Sequence, residues 1–447
     1  MDWIISISST LAIFIAAIFI LVTIHELGHF IAAKFFKMRV DKFSIGFPPK
    51  IFSFKKGETK YVLGATPLGG YVSIAGMIDE SMDDEFLEQE PKEDEFRSKP
   101  VWQRMIVITA GVIFNAILAV IIYTGIALSY GEEVIPIESV DSLYIPEESV
   151  AHDVGFRTGD RIIGINGERV EYFNDIFNPA AITGRDLSFM IVRDGNVQSL
   201  STPPNFLDQI GEQGFINSTY TLPSRISSIL EGSPAEEAGF QAGDKVVSIN
   251  GKQVDYWIQM VQIIQNAEGE LDFTVMRNGR PVEMSVTPDP ETNQIGIAAP
   301  NPSDVYNVQT LNYNLVEAVG QGFKKSEDTF VGIIQGIGMM FSGDISVRQN
   351  LGGPVAIASV TKQATDARGF LGFWEITAFL SITLAIMNML PIPALDGGHF
   401  MFLLYEGITR REPSAKVRMG LQQIGFLFLI GLIILVTFND ILRTFGS

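Results

Sequence analysis

The chain has 447 residues, 47% of them hydrophobic, and 51 acidic side chains against 32 basic ones give a formal net charge of −19. That length allows two or three domains, and the acidic balance argues against nucleic-acid binding. With no cysteine there are no disulfides and no thiol chemistry, although this does not fix a compartment.

The apolar residues gather into four blocks, at about 4–32, 104–129, 375–395 and 421–441. Each reaches the roughly 20 residues that a helix needs to cross a bilayer. The leading "MDWIISIS" lacks the basic start of a secretory signal, and no small-residue cleavage site follows, so the first block is expected to stay as a span. A shorter, Gly-rich run, "FVGIIQGIGMMF" (330–341), reads as an interfacial amphipathic helix.

Inside the first block lies "HELGH", with His25, Glu26 and His29 where lipid should be. Histidines four apart share one helix face and can reach one metal, and Glu26 falls beside them, placed to take a proton from water at that metal. An ionisable residue at the centre of a span costs about 2.5–3.5 kcal/mol on insertion scales, so three together call for a function.

Lys34, Lys37, Arg39, Lys42 and Lys50 follow the first span, which makes that side cytoplasmic. The loop that follows alternates in "KYVLGATPLGGYVSI" (60–74), which reads as strands with Gly-rich turns, and then becomes an acidic, solvated stretch over 79–96. After the second span, residues 131–150 carry six acids and no base. Both termini and the large middle segment are therefore expected outside the cytoplasm.

The middle segment repeats itself. "GFRTGDRIIGINGERV" (155–170) returns 84 residues later as "GFQAGDKVVSINGKQV" (239–254). Each copy has a Gly-Asp turn, a strand and an Asn-Gly hairpin turn. Upstream of the second copy, "GSPAEEAGF" reads as a capped short helix. These features resemble PDZ domains, which bind extended peptide ends as an added strand. In the first copy "SVAHDVGF" stands in place of "SPAEEAGF", so the resemblance is closer in the second.

Catalytic zinc usually has three protein ligands. Candidates for the third are His152, which lies across the membrane from the motif, and Asp396 and His399 in "NMLPIPALDGGH" (388–399). Depth favours the latter segment: Ile4 to His25 and Trp374 to Asp396 are 21 and 22 residues, both ending about 32 Å down, near the cytoplasmic face. Pro391 and Pro393 must break the third helix, and broken backbone at that depth is tolerated where it lines a cavity. A fifth span at 330–341 would reverse the third and put Asp396 on the wrong side. Two histidines and a carboxylate also suit iron or cobalt.

"HELGH" in a first span, "NMLPIPALDGG" in a late one and PDZ-like repeats between them resemble the site-2 proteases, intramembrane zinc metalloproteases, over nearly the whole chain. The resemblance implies that His25, His29 and Asp396 bind zinc and that Glu26 is the general base. It also implies that Asn388 helps hold substrate, and that the strand Gly69, Gly70, Tyr71, Val72, Ser73, Ile74 belongs to a membrane-associated β-hairpin pairing with an unwound substrate helix. Pro391 and Pro393 would keep the third span open beside the metal. His399 is expected to cap or hydrogen-bond instead of binding metal.

The expected fold is a polytopic α-helical membrane protein with four transmembrane helices, a membrane-associated β-hairpin and two extracytoplasmic PDZ-like α+β domains. Its parts are spans at 1–34, 101–130, 374–400 and 421–447, cytoplasmic loops at 35–100 and 401–420, repeats at 131–220 and 221–305, and a linker with amphipathic helices at 306–373. The resemblance implies regulated intramembrane proteolysis in a stress response, in a bacterial inner membrane. Its partners would be single-pass membrane substrates already cut outside, such as anti-sigma factors or signal-peptide remnants, with peptide ends bound by the PDZ-like domains or long ectodomains excluded by their bulk. The competing readings are a membrane-anchored PDZ scaffold with a structural metal, which Glu26 disfavours, and another HExxH protease class. The latter would want a Glu ligand on a following helix and leaves "LDGG" unexplained.

Overall fold

A computed structural model describes residues 2–77, 90–140, 142–147, 149–177, 187–203, 222–230, 232–267, 269–290, 292–342 and 352–445. Most of the acidic stretch at 79–96 lies outside the described residues. Among the described residues four helices are long and apolar enough to cross a membrane, which makes the chain a polytopic membrane protein with β elements. It divides into two compact units. One holds Met1–Gly131, Asn312–Gly338 and Ser346–Ser447, and the other holds Glu132–Leu311 and Met339–Ile345.

In the first unit, helix α1 (Asp2–Phe35) is followed by strands β1 (Val40–Lys56) and β2 (Thr59–Ile74), joined through a turn at Gly57. The hairpin is folded back on itself. Residues Lys42 to Ile45 each have two partners, one among Ser73 to Gly70 and another among Lys60 to Leu63. The stretch from Gly70 to Ile74 is therefore an outer strand, paired on one side by residues 40–45. Phe43, Val72, Ile74 and Met38 bury themselves with Ala33, Val107 and Ile108, which fastens the hairpin to the helices.

Helix α2 (Val101–Tyr130) starts after Pro100 and stops at Gly131, whose φ of 70° ends the helical run. The amphipathic α3 (Leu315–Ser342) contains the short apolar run at 330–341 and is not among the four candidate spans. It lies close on α2: a Cβ at Gly322 would meet Val120 O at 2.8 Å. Helix α4 (Pro354–Met389) is bent at Gly369, which has φ 58° and ψ −135°. It ends where the prolines require, because a residue before proline avoids helical ψ, and Leu390 sits at φ −61° and ψ 143°. The third apolar block runs on to 395, but its helix ends at Met389, just before the two prolines. Residues 390–395 run as irregular backbone into α5 (Asp396–Thr409), and α6 (Ala415–Phe445) closes the chain. Arg104 of α2, buried, pairs with Glu406 of α5, and Asp440 of α6 accepts from the backbone N–H groups of Gly353 (3.2 Å) and Ala356 (2.9 Å) at the start of α4.

The second unit contains two four-stranded antiparallel sheets with the same spatial order. In one, Glu168–Arg169 lies beside Arg161–Ile165, then Ser188–Arg193 and Asn196–Ser201. In the other, Lys252–Gln253 lies beside Lys245–Ile249, then Leu271–Arg277 and Arg280–Val286. Asn166 and Asn250 adopt positive φ in the Asn-Gly turns, and Ser149 and Ser233 cap the short helices Val150–Val154 and Pro234–Glu237.

An ion pair also repeats at the 84-residue offset. Arg193 Nη2 donates to Asp160 Oδ2 at 2.6 Å and to Gly155 O at 2.7 Å; Arg277 Nη2 donates to Asp244 Oδ2 at 2.6 Å and to Gly239 O at 2.9 Å. Both aspartates also accept a turn N–H, from Arg157 and Gln241. Burial alone would push the Asp244 carboxyl up, but the Arg277 hydrogen bond, the Gln241 N–H and the Arg277 charge outweigh it and hold the group below the usual carboxylate range. The long segment 132–311 of this unit begins and ends in one ladder, where Glu132–Val134 pairs with Gln309–Leu311.

Candidate metal centre

His25 and His29 project from one face of α1 toward α2 and the start of α5. His25 Nε2 and His29 Nε2 are 3.2 Å apart, and Asp396 Oδ2 stands 3.1 Å from the first and 3.4 Å from the second. Among the described residues this is the group whose ligand atoms could share one cation. Both imidazoles are buried, and Asp396 Oδ2 is buried without a hydrogen-bond donor.

The spacing suits a small tetrahedral ion. Bonds of about 2.0–2.1 Å at tetrahedral angles put neighbouring ligand atoms about 3.3 Å apart. The proton positions agree. His29 Nδ1 lies 2.8 Å from Val107 O, and because a carbonyl only accepts, that nitrogen carries the hydrogen and Nε2 keeps its lone pair. A lone pair facing a carboxylate oxygen is stable only with a cation or a proton between them.

The neighbouring backbone leaves room for this. A Cβ at Gly111 of α2 would meet His25 Cε1 at 2.6 Å and His25 Nε2 at 2.8 Å, and would collide with His29 Nε2. A glycine there is what allows two imidazole rings to lie on the helix. On the other side, the left-handed Ala394 (φ 80°) turns the irregular stretch so that Asp396 opens α5 facing the histidines. Such a backbone in a non-glycine residue is uncommon and clusters at functional sites.

Two cavities meet at these side chains. One, of about 210 Å³, is lined by His25, Glu26, Gly69, Gly70, Asn388 and Asp396 with Val22, Phe47, Leu384, Ala394 and Leu395. The other, of about 80 Å³, adds His29, Tyr71, Val72, Ile74 and His399. Glu26 is itself buried. The outer strand runs close to it, since a Cβ at Gly70 would meet Glu26 Cγ and Val22 Cγ1 at 3.0 Å. Asn388 Nδ2 lies 3.3 Å from His25 Nε2.

Most residues singled out in the sequence therefore converge. Asp396 lies 367 residues beyond His29 in the chain, yet its Oδ2 is 3.4 Å from His29 Nε2. Ser73, Pro391 and Pro393 line neither cavity. Ser73 pairs with Lys42, and the prolines act on the backbone that leads to Asp396. His399 lies 3.3 Å from Gln422 and stands outside the three-atom cluster. From the sequence α2 reads as a plain span, which overlooks Val107, Gly111 and Asn115. The signal for the last was a buried amide in an apolar helix, which is costly unless it is used.

Residues 13–432 match peptidase family M50, and the chain belongs to that family. Among individual relatives, it is 32% identical to zinc metalloprotease RasP of Oceanobacillus iheyensis, covering 98% of this chain and 100% of that one. It is 31% identical to the regulator of sigma E protease of Haemophilus influenzae (97% and 99% covered) and 28% identical to protease RseP of Yersinia pestis (98% and 99% covered).

Proposed function

We propose that this peptidase is an intramembrane zinc protease that cuts single-span membrane proteins within the bilayer. The observation that carries the reading is the set of three ligand atoms, 3.1 to 3.4 Å apart, from His25, His29 and Asp396, with Glu26 buried beside them. These three residues would hold the zinc. When bound, zinc supplies an electrophile that polarises a carbonyl and makes water more acidic.

The chain's own groups do the rest. The Glu26 carboxylate takes the proton of the attacking water and passes it to the leaving amine. Asn388 offers its amide N–H groups beside the cavity, where a substrate carbonyl would lie. A peptide bond in a membrane helix is shielded by its turn and must be unwound first. Among the described residues, the strand from Gly70 to Ile74 pairs along one side only. Its other side can take up the released backbone groups, which have no other partner in lipid. Pro391 and Pro393 keep that end of α4 from closing over the site.

The repeated sheets, with their capped helices and Asn-Gly turns, support two PDZ-like domains, at 131–220 and 221–305. We place them outside the cytoplasm, in a bacterial inner membrane, as a filter for substrates shortened by a first cut. The names of the relatives and the sequence resemblance favour an anti-sigma factor or a signal-peptide remnant as substrate.

The test is cleavage of a single-span reporter in membranes by wild type and Glu26→Gln, with bound zinc measured in both. Loss of cleavage by at least about a hundredfold with zinc retained is the expected result. Equal cleavage by the two proteins would overturn the mechanism.

A further inference from the structure

We propose, resting on the metal centre assigned above, that Asn115 is a positioning residue that fixes the tautomer of His25. Its side-chain oxygen accepts the Nδ1–H of His25, which leaves Nε2 with its lone pair turned toward the zinc.

The His25 ring has an amide on each side. Nε2 is the ring nitrogen that faces the other two candidate ligand atoms, His29 Nε2 at 3.2 Å and Asp396 Oδ2 at 3.1 Å, so it is the one that would bind the metal and Nδ1 is left to carry the hydrogen. Opposite Nδ1, at 3.3 Å, stands Asn115 Nδ2, a second donor. Donor would then face donor, while Asn115 Oδ1 is buried with no partner. The two ends of an amide have the same shape, so the hydrogen-bond network decides which atom faces the ring. Turning the Asn115 amide puts Oδ1 opposite the Nδ1–H and replaces the donor–donor contact with a hydrogen bond.

The placement fits a shared design on α2. Val107, Gly111 and Asn115 follow at intervals of four and so share a helix face. The Val107 carbonyl holds His29 Nδ1, Gly111 leaves room for both rings, and Asn115 meets His25 Nδ1. Asn115 is fully buried, and its own carbonyl accepts from Ser381 Oγ at 2.8 Å, which ties this level of α2 to α4. One histidine is thus oriented by a backbone carbonyl and the other by a side chain, so only the second can be changed by mutation.

The test is zinc affinity, by chelator competition, of the purified full-length protein with Asn115→Leu and Asn115→Asp beside wild type. The leucine variant is expected to bind zinc about 10–100-fold more weakly, while aspartate, whose carboxylate only accepts, stays within about threefold of wild type. In cobalt-loaded protein the visible absorption bands should shift for Asn115→Leu and hold for Asn115→Asp. Wild-type affinity in Asn115→Leu overturns the proposal, and so does an aspartate variant as weak as the leucine one. His25→Ala separates the two levels of inference. If it binds zinc as wild type does, the metal-site reading itself falls; if it loses zinc while Asn115→Leu keeps it, only the role of Asn115 falls.

Discussion

At Gly111 a single hydrogen atom separates α2 from the rings of His25 and His29. Gly111→Ala should therefore push both rings off their positions, at a cost of about 1–3 kcal/mol for overpacking, and lower zinc affinity by about 10–100-fold. Gly125→Ala, on the same helix with nothing within 4 Å of the added carbon, is the control and should leave zinc content unchanged. Equal zinc retention by both variants would show that the rings can move aside. At this scale the sequence revealed the charged groups better than their supports. "HELGH" announces itself because imidazoles are costly in lipid, and counting depth led to the segment with Asp396 and His399, while the choice of Asp396 came from the family resemblance. The Val107 carbonyl has no sequence signature at all, since every residue has one.

Among the elements, the repeat was legible because glycines and the Asn-Gly turns recur in register. The ion pairs were not, since Arg193 and Arg277 lie 33 residues beyond their aspartates, outside the matching stretch. The pair can be tested in the second repeat. Asp244 is buried, so Asp244→Asn should destabilise that sheet by about 1.5–3 kcal/mol, as expected for hydrogen bonds to a charged group. Hydrogen exchange over Lys245–Ile249 in the intact protein would report it. Because the folded-state pKa of Asp244 is lowered, its contribution is present above the unfolded carboxylate value and is lost as pH falls through the folded one. The difference between wild type and mutant should close over that acidic range, and a gap unchanged by acid would refute the assignment. In the third span, hydropathy marked the apolar block but not where helix gives way to irregular backbone. The prolines set that boundary through the residues before them.

At the scale of the molecule, all three candidate zinc ligands, Glu26 and Asn388 belong to the first unit. Replacing residues 132–311 with a short Gly-Ser linker should thus leave zinc binding intact, together with cleavage of a reporter that has no ectodomain. Under the filter reading, it should also allow cleavage of a reporter that keeps a folded ectodomain, which the full-length protein rejects. Zinc loss in the deletion would instead mean that the second unit helps to build the site. The sequence indicated this division through its repeat and its alternating hydropathy, but not the ladder that closes the unit.

That ladder, Glu132–Val134 against Gln309–Leu311, has a consequence for chain statistics. The helices α2 and α3 are separated by roughly 180 residues of chain, yet they lie against each other at Gly322 and Val120. Closing an open loop of that length costs about 4 kcal/mol more in entropy than closing a hairpin-sized one, at about 0.6 kcal/mol per doubling. Once the inserted unit has folded and joined its own ends, most of that cost has already been met within it. For α2 and α3 the long insertion then behaves as a tight turn, which lets α3 find α2 as an adjacent segment would.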